Sequence, residues 1–227
     1  MSRKIVVKVV VEGPTEDKFI RDIVEPYLKT KDIVISPNIL TKKGQNGGDV
    51  KYERVKNDVL KLLKGTKGTL VSYFVDYYGL KEWPGKDRIL PNSSPQQIAS
   101  ILNQAAYENL MQDKDANRMY FNQRFLPYMA VHEFEALLFS DSKILADELG
   151  ISVDEIEQVL EECGSPEQIN NSPITAPSKR LEGWKRDYSK TTDGIAIARK
   201  IGISTMRCQC PLFDEWLSAI ERVQEEA

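Results

Sequence analysis

The sequence predicts an α/β fold: a mostly parallel sheet flanked by helices, with a helical C-terminal segment. Three observations predict it. Apolar runs recur at Ile5–Val11, Leu70–Val75 and Phe125–Val131. Stretches with apolar residues at helical spacing separate them. Each run ends in acids: Glu12 after the first, Asp76 after the second, and Glu133 and Glu135 after the third. An unbroken apolar run suits a strand buried on both faces. In open α/β sheets, ligands bind at the C-terminal ends of the strands.

The elements follow in order. Ile5–Val11 reads I-V-V-K-V-V-V, a buried strand. Gly13-Pro14 punctuates the chain, and Pro14 suits the first position of a helix whose first turn carries Glu16 and Asp17. Phe19, Ile20, Ile23, Val24 and Tyr27 then recur at helical spacing, so the helix is expected over Pro14–Lys29. Ile33–Leu40 alternates weakly and reads as a second strand. Lys42–Asp49 (K-K-G-Q-N-G-G-D) is a loop, and Val50–Lys64 returns to helical spacing. Thr69–Val75 is a third strand, and Tyr77–Pro95 a polar loop. Ser94-Pro95 starts a helix carrying Ile98, Ile101, Leu102, Ala105 and Ala106. Met119–Val131 is expected to supply a further strand.

Beyond Glu135 the pattern is helical over Phe134–Phe139, Asp141–Leu149 and Val153–Cys163. Asn170–Lys179 is a loop with two prolines, and two or three short helices are expected to Val223. This β-α-β-α progression implies parallel strands with crossover helices. The expected division is an α/β core over residues 1–138 and a helical extension over 139–227 packed on it.

Composition narrows the function classes. The 227 residues carry 31 Lys and Arg against 34 Asp and Glu, a formal charge of -3, so no overall basic excess marks a nucleic-acid binder. Phosphate binding would have to come from local basic patches or from bound metal. The three cysteines, Cys163, Cys208 and Cys210, make a poor disulfide framework, which favours a reducing cytoplasm. Cys208 and Cys210 are expected to pack as small hydrophobes. One histidine and no C-x-x-C pair argue against structural zinc. No apolar run approaches a membrane span, and no signal-peptide pattern precedes the first strand.

The acids carry the chemistry. Two unit charges about 4 Å apart repel by about 4 kcal/mol at an effective dielectric of about 20, so a cluster needs protons or cations. A hard ion with oxygen ligands meets that need, which makes Mg²⁺ or Mn²⁺ the expected cofactor. Asp17 alone is an ordinary helix N-terminal acid, and Glu133 and Glu135 also read as solvated helix acids. Glu12 and Asp76 resist that reading because each directly terminates a strongly apolar strand.

At these residues the chain resembles the Toprim domain of topoisomerases, bacterial primases and nucleases of the overcoming-lysogenization-defect type. It resembles more closely a family of small Toprim-like bacterial proteins often encoded beside an AAA-type ATPase. The resemblance rests on Glu12–Phe19 (E-G-P-T-E-D-K-F), Asp76–Gly79 (D-Y-Y-G), His132–Asp141 (H-E-F-E-A-L-L-F-S-D), Ala176–Arg180 (A-P-S-K-R) and Cys210–Trp216 (C-P-L-F-D-E-W). It implies a Rossmann-like parallel sheet with acids at its C-terminal edge. It further implies metal-assisted phosphodiester hydrolysis of DNA or RNA. By resemblance, Glu12 takes the acid/base or metal-binding role, Glu16 a metal ligand, and Asp76 the first acid of an Asp-x-Asp motif. Tyr78 stands at that motif's second acid, so Glu133 or Glu135 is expected to supply the missing oxygen. A late lysine stabilises transition-state charge in such nucleases, and Lys190 is the preferred candidate, with Lys179 and Arg180 next.

Other features keep two readings. His132 is structural or, beside the acids, catalytic. Lys42 and Lys43 open a glycine-rich loop that is either mobile or phosphate-contacting, and it lacks the P-loop pattern. Tyr77, Tyr78 and Trp83 lie near Lys81, Lys86 and Arg88, an arrangement that stacks single strands, forms a lid or packs a core. Phe213, Trp216, Leu217 and Ile220 form an apolar stripe expected to dock on the core or meet a partner. The leading expectation is a cytoplasmic nuclease, the effector of a defence system with an AAA-type ATPase partner and without a membrane. A homo-oligomer is possible. The alternatives are a non-catalytic regulatory or assembly module that binds the ATPase, and a nucleotidyl transferase or primase-like enzyme.

Overall fold

The computed structural model describes residues 4–40, 50–65, 68–77, 80–114, 123–131, 133–169 and 174–225. Lys42, Lys43, Tyr78 and His132 lie outside the described residues. Strands β1 (Ile5–Val11), β2 (Ile33–Ile39), β3 (Leu70–Asp76) and β4 (Phe125–Ala130) form a parallel sheet in the order β2-β1-β3-β4. Val7 pairs with Ile35 on one side and Leu70 on the other, and Asp76 pairs with Ala130. This is the parallel, helix-flanked sheet that the sequence predicts. Of the strand expected over Met119–Val131, the described part forms only from Phe125.

Both faces of the sheet are covered, which explains the unbroken valine run of β1. On one face, Val10, Val71, Tyr73, Val75 and Met129 pack under helices α3 (Tyr52–Gly65) and α4 (Pro95–Met111). Trp83 belongs to this layer: it is buried, its ring lies 5.0 Å from Tyr52 and 5.4 Å from Tyr73, and its indole N–H donates to the Leu102 carbonyl. Of the three readings open for Trp83, core packing is the one the structure bears out.

On the other face, Val7, Val9, Val11, Phe74 and Tyr128 share one hydrophobic core with the first helix and with much of the C-terminal half. The first helix runs from α1 (Pro14–Phe19) through a π-helical turn at Ile20–Val24 into α2 (Glu25–Lys29). The spacing predicted a plain α-helix here. The widened turn falls directly before Pro26, which has no N–H to donate and whose ring would press on the carbonyl four residues back.

The C-terminal half adds a 3₁₀ segment, Phe134–Ser140, where the spacing predicted an α-helix. All seven of its residues are buried, so packing on every side sets its path in place of one apolar stripe. Then follow α5 (Ser142–Leu149), α6 (Val153–Cys163), α7 (Pro177–Trp184), α8 (Ile195–Ile201), α9 (Ile203–Gln209) and α10 (Pro211–Glu225). Phe213, Trp216, Leu217 and Ile220 of α10 dock on the core, and the Trp216 indole N–H donates to Ser72 Oγ of β3 at 3.0 Å. Cys210 is buried beside Ser140, whereas Cys208 is exposed and does not pack as expected, because it falls on the solvent side of α9.

Glu167 fixes the start of α10. It is only 5% exposed, and its carboxylate accepts the Leu212 and Phe213 N–H groups at 2.9 and 3.1 Å. These are N–H groups that a helix start leaves without internal partners. Glu167→Ala should therefore lower stability by about 2–3 kcal/mol, read as a lower urea midpoint at unchanged slope, and Glu167→Gln should recover part of the loss. A midpoint unchanged in Glu167→Ala would refute this cap.

Candidate functional site at the acidic edge of the sheet

The strand order turns back at β1. The chain leaves β1 for β2 on one side, then crosses to β3 on the other. Such a switch point opens a crevice between the loops that follow the two strands. Glu12 follows β1 and Asp76 ends β3, so backbone topology alone puts these acids on either side of the crevice. Glu16 enters on the first turn of α1, where its Oε2 accepts the Gly13 N–H at 3.0 Å.

Glu133 and Glu135 arrive after β4 and have different surroundings. Glu133 is partly exposed, and its Oε2 accepts the Ser178 N–H at 2.9 Å, from the first turn of α7. Glu135 has a side chain only 2% exposed, and Lys190 Nζ stands 2.9 Å from its Oε1 and 3.7 Å from Glu133 Oε1. Lys190 is 40% exposed, so its ammonium reaches both the buried acid and solvent.

The segment carrying Lys190 is held firmly. Lys190 begins a π-helical turn, Lys190–Gly194, in which Asp193 Oδ2 accepts the Ser189 N–H at 2.8 Å and Oδ1 lies 2.9 Å from Lys185 Nζ. Those two bonds hold the Asp193 carboxyl below its ordinary range. Lys18 of α1 reaches the same turn by donating to the Thr191 carbonyl. Gly194 is required by close approach: a Cβ there would meet the Tyr188 hydroxyl at 2.7 Å and Phe134 Cε1 at 3.3 Å.

The electrostatics are those of crowded, desolvated acids. Burial pushes the Asp76 carboxyl well above the carboxylate range, and the charges of Glu16, Glu12, Glu135 and Glu133 push it further. Glu16 is raised by burial and by Glu12, against its backbone hydrogen bonds and the charge of Lys190. Glu12 is raised by burial, with Lys190 opposing. Burial lifts Glu135 to about 7 even though Lys190 pulls it down. Burial acts to lower the Lys190 ammonium, but Glu135 and Glu133 outweigh it and hold the group above the usual lysine range.

Among the described residues, three buried side-chain polar atoms lack a hydrogen-bond partner: Asp76 Oδ1, Glu135 Oε1 and the Tyr188 hydroxyl. Among the described residues, Glu135 Oε1 meets the Lys190 ammonium alone, at 2.9 Å. Native structures satisfy nearly all such atoms, so an orphan needs a reason. Asp76 and Glu135 belong to one set of interacting charges, and Glu135 is also the leading charge acting on Tyr188. Among the described residues, no group of three or more His, Cys, Asp or Glu side chains closes tightly enough to hold an ion as it stands.

The sequence-selected residues thus divide. Glu12, Glu16, Asp76, Glu133, Glu135 and Lys190 form one electrostatic cluster. Lys179 is exposed and pairs with Glu182 at 2.6 Å, and Arg180 Nε donates to the Thr175 carbonyl at 2.9 Å. Three contributors had no sequence signal of their own: the Ser178 amide, Asp193 and the Tyr188 hydroxyl. The Pro177 that opens α7 hints at the first, because a helix start presents free N–H groups.

The raised carboxyls set a pH dependence. A group held above its unfolded value binds its proton more tightly in the folded state, so stability is full below the unfolded value and falls as pH rises through the folded one. For Glu135 that window runs from 4.5 to about 7, and Glu167, also lifted to about 7 by burial, adds the same sign. The protein free of divalent ions should therefore melt at least about 4 °C lower at pH 7.5 than at pH 5.5, and Glu135→Gln should flatten the slope. A melting temperature that rises over this window would contradict these assignments.

No curated protein matches the chain. Among solved structures it is similar to the "C-terminal region of the Burkholderia pseudomallei OLD protein", at 13% identity and a TM-score of 0.48, with 96% of this chain and 98% of that chain covered. The family described as "Domain of unknown function (DUF4276)" matches residues 11–221, from the last residue of β1 into α10, and the chain belongs to that family.

Proposed function

We propose that the acidic edge hydrolyses phosphodiester bonds of nucleic acid, as a Toprim-type nuclease assisted by Mg²⁺ or Mn²⁺. One observation carries this reading: carboxylates gathered at the topological switch point, with Asp76 Oδ1 enclosed among like charges and unpartnered among the described residues. The donors are all oxygen, which suits a hard cation that keeps several of its waters and needs few carboxylates. Glu12, Glu16 and Asp76 would hold it, with Glu133 or Glu135 supplying a further oxygen where Tyr78 replaces an acid. When bound, such an ion activates water and offsets phosphate charge.

The chain's own groups do the rest. Glu12 is partly exposed and is raised toward neutrality, which suits a group that accepts a proton from water and passes it on. Lys190 is anchored by Glu135 but open to solvent, so it can offer its ammonium to a phosphoryl oxygen as charge builds there. Because the sequence carries no P-loop, nucleotide control would come from an AAA-type ATPase partner, and a defence effector is the role that pairing fits.

A second reading has its own support. Lys190 already places one cation against Glu135 and Glu133, as a scaffold that binds its partner without catalysis would need.

Calorimetric titration with Mn²⁺, run beside cleavage of single- and double-stranded DNA and of RNA, separates the two. On the nuclease reading, the wild type binds, and Glu12→Gln and Asp76→Asn weaken binding at least about 10-fold while remaining folded. Lys190→Met should keep Mn²⁺ affinity but cut cleavage by about 10²–10³-fold. Binding without cleavage of any substrate would favour the scaffold. Absence of binding in the wild type would overturn the metal site.

A further inference from the structure

Among the described residues, the Tyr188 hydroxyl is a buried donor with no acceptor, and it lies two residues before the anchored turn that Lys190 begins. The fold makes room for it. Gly194 lacks the Cβ that would press on the hydroxyl oxygen, and the same space touches Phe134, the neighbour in sequence of Glu135. Burial first, then the charges of Glu135, Asp193 and Glu133, hold the phenol far above its ordinary range, so it remains a proton donor in any working buffer.

Glu135, the leading charge acting on this phenol, presents a problem that the donor would solve. Glu135 Oε1 is buried, and among the described residues its counter-charge is the Lys190 ammonium at 2.9 Å. If Lys190 turns toward a phosphoryl oxygen, Glu135 is left buried and uncompensated, which strongly disfavours the move. A hydroxyl that turns to Glu135 would remove that obstacle.

We propose that Tyr188 is a positioning residue that acts through Glu135, donating its hydroxyl to the Glu135 carboxylate when Lys190 leaves it for substrate. In the resting protein Lys190 holds the carboxylate and the hydroxyl has no partner. In the working state Tyr188 holds the carboxylate and Lys190 is released. The inference rests on the reading of Lys190 as the phosphate-facing cation. Its core, the exchange of partners on Glu135, is tested without metal or substrate.

The test is a double-mutant cycle on thermal unfolding of the full chain in EDTA at one pH. In the wild-type background, Tyr188→Phe should shift the melting temperature by less than about 1 °C, because the hydroxyl has no bond to lose. With Lys190→Met in place, Glu135 depends on Tyr188, and adding Tyr188→Phe should lower the melting temperature by about 4 °C more. Lys190→Gln serves as the second background if Lys190→Met does not fold. A shift of equal size in both backgrounds would overturn the proposal and make Tyr188 a space-filling residue. That result would leave the nuclease reading standing, since Mn²⁺ binding and cleavage decide that separately.

Discussion

Repulsion among desolvated carboxylates at the end of the sheet is the constraint on which this structure turns. Topology sets Glu12 and Asp76 on either side of the switch point, and the charges of Glu16, Glu133 and Glu135 act there too. Each raises the proton affinity of a neighbour, and among the described residues the ammonium in contact with the set, that of Lys190, reaches Glu135 and Glu133. A chain selected for stability alone would exchange these acids for neutral side chains. Their crowding, with Asp76 Oδ1 unpartnered among the described residues, is the observation on which the proposed cation site rests.

The packing beneath the site makes that arrangement tolerable. Phe19 follows Glu16 by three residues on α1, and its ring meets Phe74 at 6.2 Å, Phe134 at 5.0 Å and Phe213 at 5.8 Å. One buried ring therefore ties the helix of Glu16 to the strand of Asp76, to the segment of Glu135 and to α10. Edge-to-face and tilted ring pairs of this kind favour defined geometry as well as burial. The second half of the chain is part of the site as well as its support: Lys190, the Ser178 amide and Tyr188 all come from it. Shared packing of Val7, Phe74, Leu181, Ile197 and Trp216 in one core keeps those groups in register with the strand ends.

Much of this could be read from the sequence, and the exceptions have physical causes. The valine run of β1 and the acids after three apolar runs announced the sheet and its charged edge, because two-sided burial leaves an unbroken apolar signature. The π turn before Pro26 was implicit in proline chemistry but hidden by an apolar spacing that fits an α-helix as well. Trp83 was ambiguous because aromatics beside cations suit a stacking surface and a core rim alike, and only its burial separates the two. Glu133 and Glu135 look equivalent two residues apart, yet one is bonded to the Ser178 amide and the other is buried against Lys190. A hydroxyl without a partner, such as that of Tyr188, is a property of three-dimensional packing and leaves no mark in a linear pattern.

The most direct measurement compares the melting temperatures of wild type and Asp76→Asn at pH 8, with and without millimolar Mg²⁺ or Mn²⁺. Removing a crowded negative charge should make Asp76→Asn the more stable protein in EDTA. The divalent ion should then stabilise the wild type and leave the variant little changed, so that their order reverses. If Asp76→Asn is the less stable protein in EDTA, or if the ion shifts both equally, the acidic edge is not a site held in tension for a cation.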